Sequence, residues 1–493
     1  MTRRVFLGLD CGTQSTKALL LDADSGATVT VGRADHELIE RTDGTREQHP
    51  EWWTMAAMEA IRAALAEAAR ADGRAEDVEV AGIGVSGQQH GLVALDAADA
   101  PLRPAKLWND TTTAPQCAAL TERLGGSEQV LRLTGNAFLP GYTAPKIAWL
   151  RDHEPGVYAV SRRFCLPHDY LNLWLSGTFA TEPGDASGTA YFDARERRYS
   201  EPVLTALDDE RDWEATLPPV VPSRSVLGQL RAGLSTATGL DPGTPVSAGG
   251  GDNMCSAIGV GAIEPGRMVV SLGTSGTAFT YADQPAADPL GEAAAFCDST
   301  GGWLPLICTL NCTGATDWIA ELLGLDHAAF ETALREIGAG AAGLTFLPYL
   351  DGERTPDLPS ASGTFAGLRS SHRPADLVRA VAEGVTFGLR YGVDALRRAG
   401  VTPREVTLVG GGAASDGWAQ LCADVLELPL RRPTVVEAAA RGAALQARWV
   451  VDGVAPQTDA AEPDRFEPAL SQALSDAAGR QDALRRLAVE GRL

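Results

Sequence analysis

Long apolar runs are absent from this 493-residue chain. The opening segment MTRRVFLGLD has two arginines but only a short apolar stretch, Val5–Leu9, before Asp10 interrupts it. A secretory signal needs an apolar run of about 7–15 residues, and a membrane span needs about 20. The expectation is therefore a cytoplasmic protein with no membrane partner. Cysteine is also sparse. The eight cysteines form no tight even framework, so they read as reduced thiols rather than a disulfide scaffold. Cys308 and Cys312 lie four apart without a second pair, and read as small buried apolar residues rather than metal ligands. Positive charge is in short supply. Forty-two Lys and Arg face 64 Asp and Glu, for a net charge of −22 and a pI of about 4.8. Such a surface repels phosphate backbones and anionic lipid, which excludes nucleic acid as a partner. A neutral substrate is unaffected. A site for a nucleotide, however, must build its own local positive potential from backbone N–H groups, a metal and a few cations.

What is present is ordinary globular material, with 44 % apolar and 22 % charged residues. That composition excludes disorder of the whole chain, and the length predicts two or three folding units. Val5–Leu9 and Ala18–Leu21 flank the polar turn CGTQSTK, which predicts two strands joined by a glycine-bearing loop. From Trp53, apolar residues recur with helical spacing through Ala68. Val78–Val85 reads as a buried strand that runs into Ser86-Gly87-Gln88-Gln89-His90-Gly91. Strands alternating with helices predict an α/β fold. The turn-rich stretch Asp241-Pro242-Gly243-Thr244-Pro245 predicts a joint, with one lobe over 1–245 and a second over 246–493. The second lobe is expected to start on Val246–Ala248, then continue with strands at Met268–Leu272 and Val406–Val409. Helices are expected around Leu377–Leu396 and Trp418–Leu426. The last thirty residues, rich in Ala and charge, read as a terminal helix or tail without function.

Three glycine loops are candidates to hold phosphates: Asp10–Lys17, Ser271–Gly276 and Gly410–Ala413. Glycine lets the backbone approach an anion closely, so that consecutive N–H groups point at its oxygens. None of the three carries the Walker A pattern GxxxxGK[ST] or a dinucleotide-binding GxGxxG. Loops of this kind in both halves predict a cleft between two lobes. Asp10, at the end of the first strand, suits a ligand to Mg²⁺ beside phosphates, and equally an aspartate that bonds its own turn. Asp252 follows three glycines and precedes Asn253. It suits a carboxylate that orients an alcohol and accepts its proton, and equally an Asx turn. Gln89, His90, Trp108 and Asn109 offer hydrogen-bonding groups beside an indole, which suits a polyhydroxylated ligand. Lys17 has two readings, neutralising a phosphate or pairing with a surface acid.

With these residues in view, the chain resembles the FGGY family of carbohydrate kinases. GLDCGTQSTKALLLD is similar to the first phosphate loop of the actin-like ATPase superfamily. Gly141–Leu150 matches the family's first signature. Gly363–Leu368, then seven residues, then Asp376–Ala380 matches its second, with Ala382 a small departure. GQQHG, LWND, GNAFLPGYTAPK, LPHDYL, AGGGDNMCSAIGVG, SLGTSG, FLPYLDGERTP and GGGAASDGW resemble the members that phosphorylate xylulose. Together these segments run from about Val5 to Leu445.

The resemblance implies two actin-like (ribonuclease H-like) lobes around a central cleft, with sugar mainly on the first lobe and ATP mainly on the second. It implies ATP and Mg²⁺ as cofactors and a small-molecule sugar as substrate. Asp252 corresponds to the general base, and Asp10 to the acid near metal and phosphates. Gln89, His90, Trp108, Asn109, Asp252 and Asn253 are the implied sugar contacts. Thr13, Gln14, Lys17, Gly273, Thr274, Gly411, Gly412 and Ala413 are the implied nucleotide contacts. The resemblance allows a homodimer, though no interface pattern stands out. Two departures bear on this. Gln89 stands where many relatives have methionine, and Ala414 where arginine is frequent. The alternatives are a kinase of the same family for ribulose, gluconate, glycerol or a deoxyketose, and a non-catalytic actin-like sugar sensor.

Overall fold

The computed structural model describes residues 2–70, 78–435, 437–456 and 463–493. The chain builds two α/β lobes, each on a twisted mixed sheet, with a cleft between them. In the first sheet the order is Val226–Gln229, Pro245–Ser247, Val78–Gly87, Arg3–Cys11, Ser15–Asp22 and Thr28–Asp35. Arg3–Cys11 runs antiparallel to Ser15–Asp22 and parallel to Val78–Gly87. The second sheet repeats the plan with Leu306–Thr309, Gly276–Thr280, Arg267–Leu272, Glu405–Val409, Leu430–Arg432 and Asp464–Phe466. Here too a three-stranded antiparallel meander leads into parallel pairs.

The expected start of the second lobe differs from what is found. Pro245–Ser247 joins the first sheet, pairing Val246 with Ile83 in parallel, and Gly250–Gly251 pairs with Ser86 and Gly87. The turn-rich stretch before it leads into the second arm of a pair with Val226–Gln229, not into a new lobe. The second sheet begins at Arg267. Local composition marks a turn but does not say which strand comes next to pair.

The first strand is buried on both faces, and its period of two sorts its residues. Val5, Leu7 and Leu9 pack with Trp53, Ala57, Ala60, Ile61 and Ala64 of the helix Pro50–Ala68. Phe6 faces the other way, toward Ala440, Ala444 and Leu445 of the helix Ala438–Asp452. That helix, which follows the second sheet's parallel strands, therefore lies beneath the first sheet. The helix Asp252–Gly259 crosses it, placing Met254 and Ala257 with Val269 and Phe279 of the second sheet. The crossing is tight. A Cβ on Gly8 would lie 1.9 Å from the Ala440 carbonyl oxygen, and one on Gly442 would lie 1.7 Å from that of Cys255. Only glycine lets backbones pack at this distance.

The terminal helix Gln472–Val489 is docked rather than trailing. Leu474 and Ala477 enter the second core, and buried Gln481 Nε2 donates to the carbonyls of Phe346 (3.0 Å) and Gly384 (2.7 Å). No helix among the described residues is long and apolar enough to cross a membrane.

Candidate active site

A cavity of about 450 Å³ opens between the lobes. Asp10, at the end of the first strand, and Asp252, at the start of its helix, both line it. Asp10 is held by Ser86, whose hydroxyl donates to Oδ1 at 3.0 Å. Burial pushes the Asp10 carboxyl up, while Lys17 draws it back. Asp252 Oδ1 accepts from the Asn253 backbone N–H (2.7 Å) and from Asn253 Nδ2 (2.9 Å). No hydrogen bond reaches Asp252 Oδ2 from any described residue. Burial, with the nearby Asp10 charge next, pushes Asp252 up to about 7. Two buried carboxylates lining one cavity, with the Asp10 charge raising Asp252, are a donor set that a divalent cation would neutralise.

The sugar-side expectations gather on one wall. Gln89, His90, Trp108 and Asn253 all line the cavity. Gln89 Oε1 accepts from Asn253 Nδ2 at 3.1 Å. His90 takes a left-handed backbone conformation, φ 66°. Its carbonyl accepts from Lys146 Nζ (2.6 Å) and Thr143 Oγ1 (3.1 Å) of the helix Thr143–His153, which fixes that turn. The imidazole lies against Tyr142 (4.7 Å) and Phe296 (5.7 Å). Burial keeps it well below 6.5, helped by the charges of Arg354 and Lys146, so it is neutral. Asn109 does not line the cavity, although its buried Oδ1 lacks a partner.

The nucleotide-side expectations divide. Gly12, Lys17, Ser271, Ser275, Thr277 and Gly410 line the cavity. Lys17 Nζ also lies 2.5 Å from Glu437 Oε2, so it pairs with an acid at the mouth of the site itself. Thr13 sits behind the wall, where its hydroxyl meets Trp108. Gln14 is exposed, and its carbonyl accepts from the His36 N–H. The carbonyls of Gly273 and Thr274 cap the helix Thr313–Leu323 by accepting from the Thr313 and Cys312 N–H groups. Gly411, Gly412 and Ala413 form a tight turn next to Gly410 and do not reach the cavity wall. Where Ala414 leaves an arginine out, Arg432 donates to the Ala413 carbonyl at 2.9 Å, so a guanidinium still stands behind this loop.

Sequence reasoning missed three contributors. Arg354 lines the cavity from the second lobe, its guanidinium 5.6 Å from the Tyr142 ring centre. It pairs with no carboxylate among the described residues; the Tyr142 hydroxyl and the Cys308 thiol flank it. Glu437 and Gln48 were also missed, the latter donating to the Thr13 carbonyl at 2.7 Å. Arg354 lies inside FLPYLDGERTP, but composition gave no sign that this segment reaches the opposite wall. Cys308 lines the cavity and Cys312 is buried, and all eight cysteines are free.

Known proteins show the same architecture. The family profile for the N-terminal domain of the FGGY family of carbohydrate kinases matches residues 5–259, and that for its C-terminal domain matches 268–450. A xylulose kinase from Haemophilus influenzae is 43 % identical over 446 residues, 90 % of each chain. The crystal structure of a xylulose kinase from Bifidobacterium adolescentis, 31 % identical, superposes with a TM-score of 0.84 over 97 % of this chain and 99 % of that one. That of a gluconate kinase from Lactobacillus acidophilus, 25 % identical, gives 0.88 over 99 % and 98 %. The chain belongs to the FGGY family of carbohydrate kinases and is an ATP-dependent sugar kinase.

Proposed function

We propose that the enzyme phosphorylates D-xylulose to D-xylulose 5-phosphate, with Asp252 as general base and Mg·ATP as phosphoryl donor. The observation that carries this is Asp252 itself. Its Oδ1 is tied by Asn253 and its Oδ2 is free toward the cavity. Its pKa of about 7 suits a base working at neutral pH.

In this reading the sugar's terminal hydroxyl sits against Asp252 Oδ2, which takes its proton as the oxygen bonds to phosphorus. Gln89, Asn253 and Trp108 orient the remaining hydroxyls, and neutral His90 acts as a hydrogen-bonding partner rather than a charge. Lys17, the hydroxyls of Ser271 and Ser275, and the N-terminus of Ala438–Asp452 face the phosphate side. Asp10 would hold the metal, which would supply positive charge against that developing on the phosphate. Most of the rate acceleration then comes from positioning, because phosphoryl transfer needs little covalent help.

Arg354 keeps a second substrate in play. A half-buried guanidinium that forms no ion pair among the described residues, with the Asp357 charge acting on it from farther off, would also suit a sugar acid such as gluconate. The test is ADP release with ATP and Mg²⁺ across D-xylulose, D- and L-ribulose, glycerol, gluconate and a no-sugar blank. Dominant turnover of D-xylulose is expected. A preference for gluconate would move the substrate but keep the mechanism, and no turnover above the blank with ATP still bound would sink it.

A further inference from the structure

Behind the sugar wall lies a buried polar cluster that no role so far uses. His168 and Asp169 stand on the helix Pro167–Ser176, and Asp185 on the short helix Pro183–Ala186. All three are fully buried. His168 Nε2 lies 2.6 Å from the Ala248 carbonyl and 2.9 Å from Asn172 Nδ2; the shorter contact, to an oxygen that can only accept, puts a proton on that nitrogen. Nδ1 then stands 3.4 Å from both Asp169 Oδ1 and Asp185 Oδ2. A bare lone pair facing two carboxylates would be repulsive, and a second proton resolves it. Burial opposes that charge, but the two acids overcome it and hold His168 well above 6.5.

The carboxylate of Asp185 has one side left over. Neither of its oxygens makes a hydrogen bond that meets full geometry, and neither does the buried Nε2 of Gln89 that lies against it. An amide has a donor end and an acceptor end, whereas an ionised carboxylate only accepts. Gln89 must therefore turn its NH₂ toward Asp185 and its oxygen toward Asn253, the orientation found. Gly251 makes room for this, since a Cβ there would come within 2.8 Å of the Gln89 amide. Asn253 in turn fixes Asp252 through Oδ1.

We propose that Asp185 is a positioning residue for phosphoryl transfer: facing His168 on one side, it sets the Gln89 amide on the other, which through Asn253 aims Asp252 Oδ2 into the cavity. This rests on Asp252 being the base. The charged groups around Asp252 are Asp10 on the first strand and Asp185 behind Gln89, with Lys17, its partner Glu437 and Arg354 on other walls of the cavity.

The test is a double-mutant cycle in the full-length enzyme: wild type, Asp185→Asn, Gln89→Met and the pair, with kcat and KM measured from about pH 5.5 to 9. Each single variant should lose about tenfold in kcat, with the sugar KM nearly unchanged in Asp185→Asn and raised in Gln89→Met by loss of its sugar contact, and the kcat of the pair should be no worse than that of the poorer single. Asp185→Asn should also move the acid limb to lower pH, because a like charge near Asp252 is gone. Losses that multiply would overturn the proposal, and so would wild-type kcat in Asp185→Asn. One equivalent of tightly bound metal, lost in Asp185→Asn, would overturn it too, by making Asp185 a ligand instead. If Asp185→Asn does not fold, Gln89→Glu replaces it. Two facing carboxylates there should lower activity at pH 8 relative to pH 6.5, and a profile parallel to wild type would refute the link. Turnover surviving in Asp252→Ala would refute the base reading itself. An inactive Asp252→Ala with multiplicative losses would refute only the role of Asp185.

Discussion

The indole nitrogen of Trp108 donates to the hydroxyl of Thr13 at 3.0 Å, joining the wall proposed to hold the sugar to the glycine loop Asp10–Lys17. Thr13 passes the contact on to Gln88 Oε1 (3.4 Å), and Gln48 bridges back from Gln88 to the Thr13 carbonyl. A change at Thr13 is therefore expected to reach both walls of the cavity. Thr13→Val keeps the shape and removes the acceptor, leaving the indole N–H unpaired. Initial rates with both substrates varied should show KM rising several-fold for sugar and for ATP alike. A change in only one would place Thr13 in that site alone.

Asp252→Ala should lower turnover by about 10²–10⁴-fold with ATP binding nearly intact, as read by nucleotide titration. In the wild type, kcat/KM should fall as pH drops below about 7, because the base must be ionised to accept a proton. A profile flat from pH 5.5 to 8 would contradict this.

The same group shapes stability. Its folded pKa of about 7 lies above the ordinary 3.8, so the neutral form is favoured by folding and that stability is lost as pH rises through 7. Asp252→Asn should therefore raise Tm at pH 8 and give little change at pH 4. An equal shift at both pH values would assign the effect to packing.

Arg354 is anchored in the second lobe before it meets the first. The Leu310 N–H donates to Glu353 Oε1 (2.6 Å), Asn311 Nδ2 to the Gly352 carbonyl (2.8 Å), and Thr355 Oγ1 to that of Cys308 (2.8 Å). Arg354→Met should raise the sugar KM about tenfold or more while leaving that for ATP nearly constant. Lysine should not rescue it, since it lacks the planar fork of donors.

Gly442→Ala would drive a methyl into the Cys255 carbonyl, which no rotamer can relieve. A loss of about 1–3 kcal/mol or more is expected, measured as a lower urea midpoint.

The sequence made some features plain and hid others for physical reasons. Apolar runs such as Val5–Leu9 and Met268–Leu272 announce strands because burial on both faces leaves no room for polar residues. Val246 was assigned to the wrong sheet because pairing is decided by partners far along the chain. Asp10, Asp252, Gln89 and His90 were legible because they sit at strand ends beside glycines. Arg354 and Glu437 were not, because only the folded arrangement of both lobes brings them there. Gly273 and Thr274 carry the right composition for a phosphate loop; their carbonyls cap a helix, a use that leaves the N–H side of the loop out of the cap.

The crossed helices also bear on how the enzyme is made. The inner face of the first sheet, with Phe6 and Gly8, is covered by Ala440 and Ala444 from the far end of the chain. A ribosome must synthesise nearly the whole polypeptide before that face has its cover. A fragment ending near residue 260 would leave it bare, so the first lobe expressed apart is expected to expose an apolar sheet face.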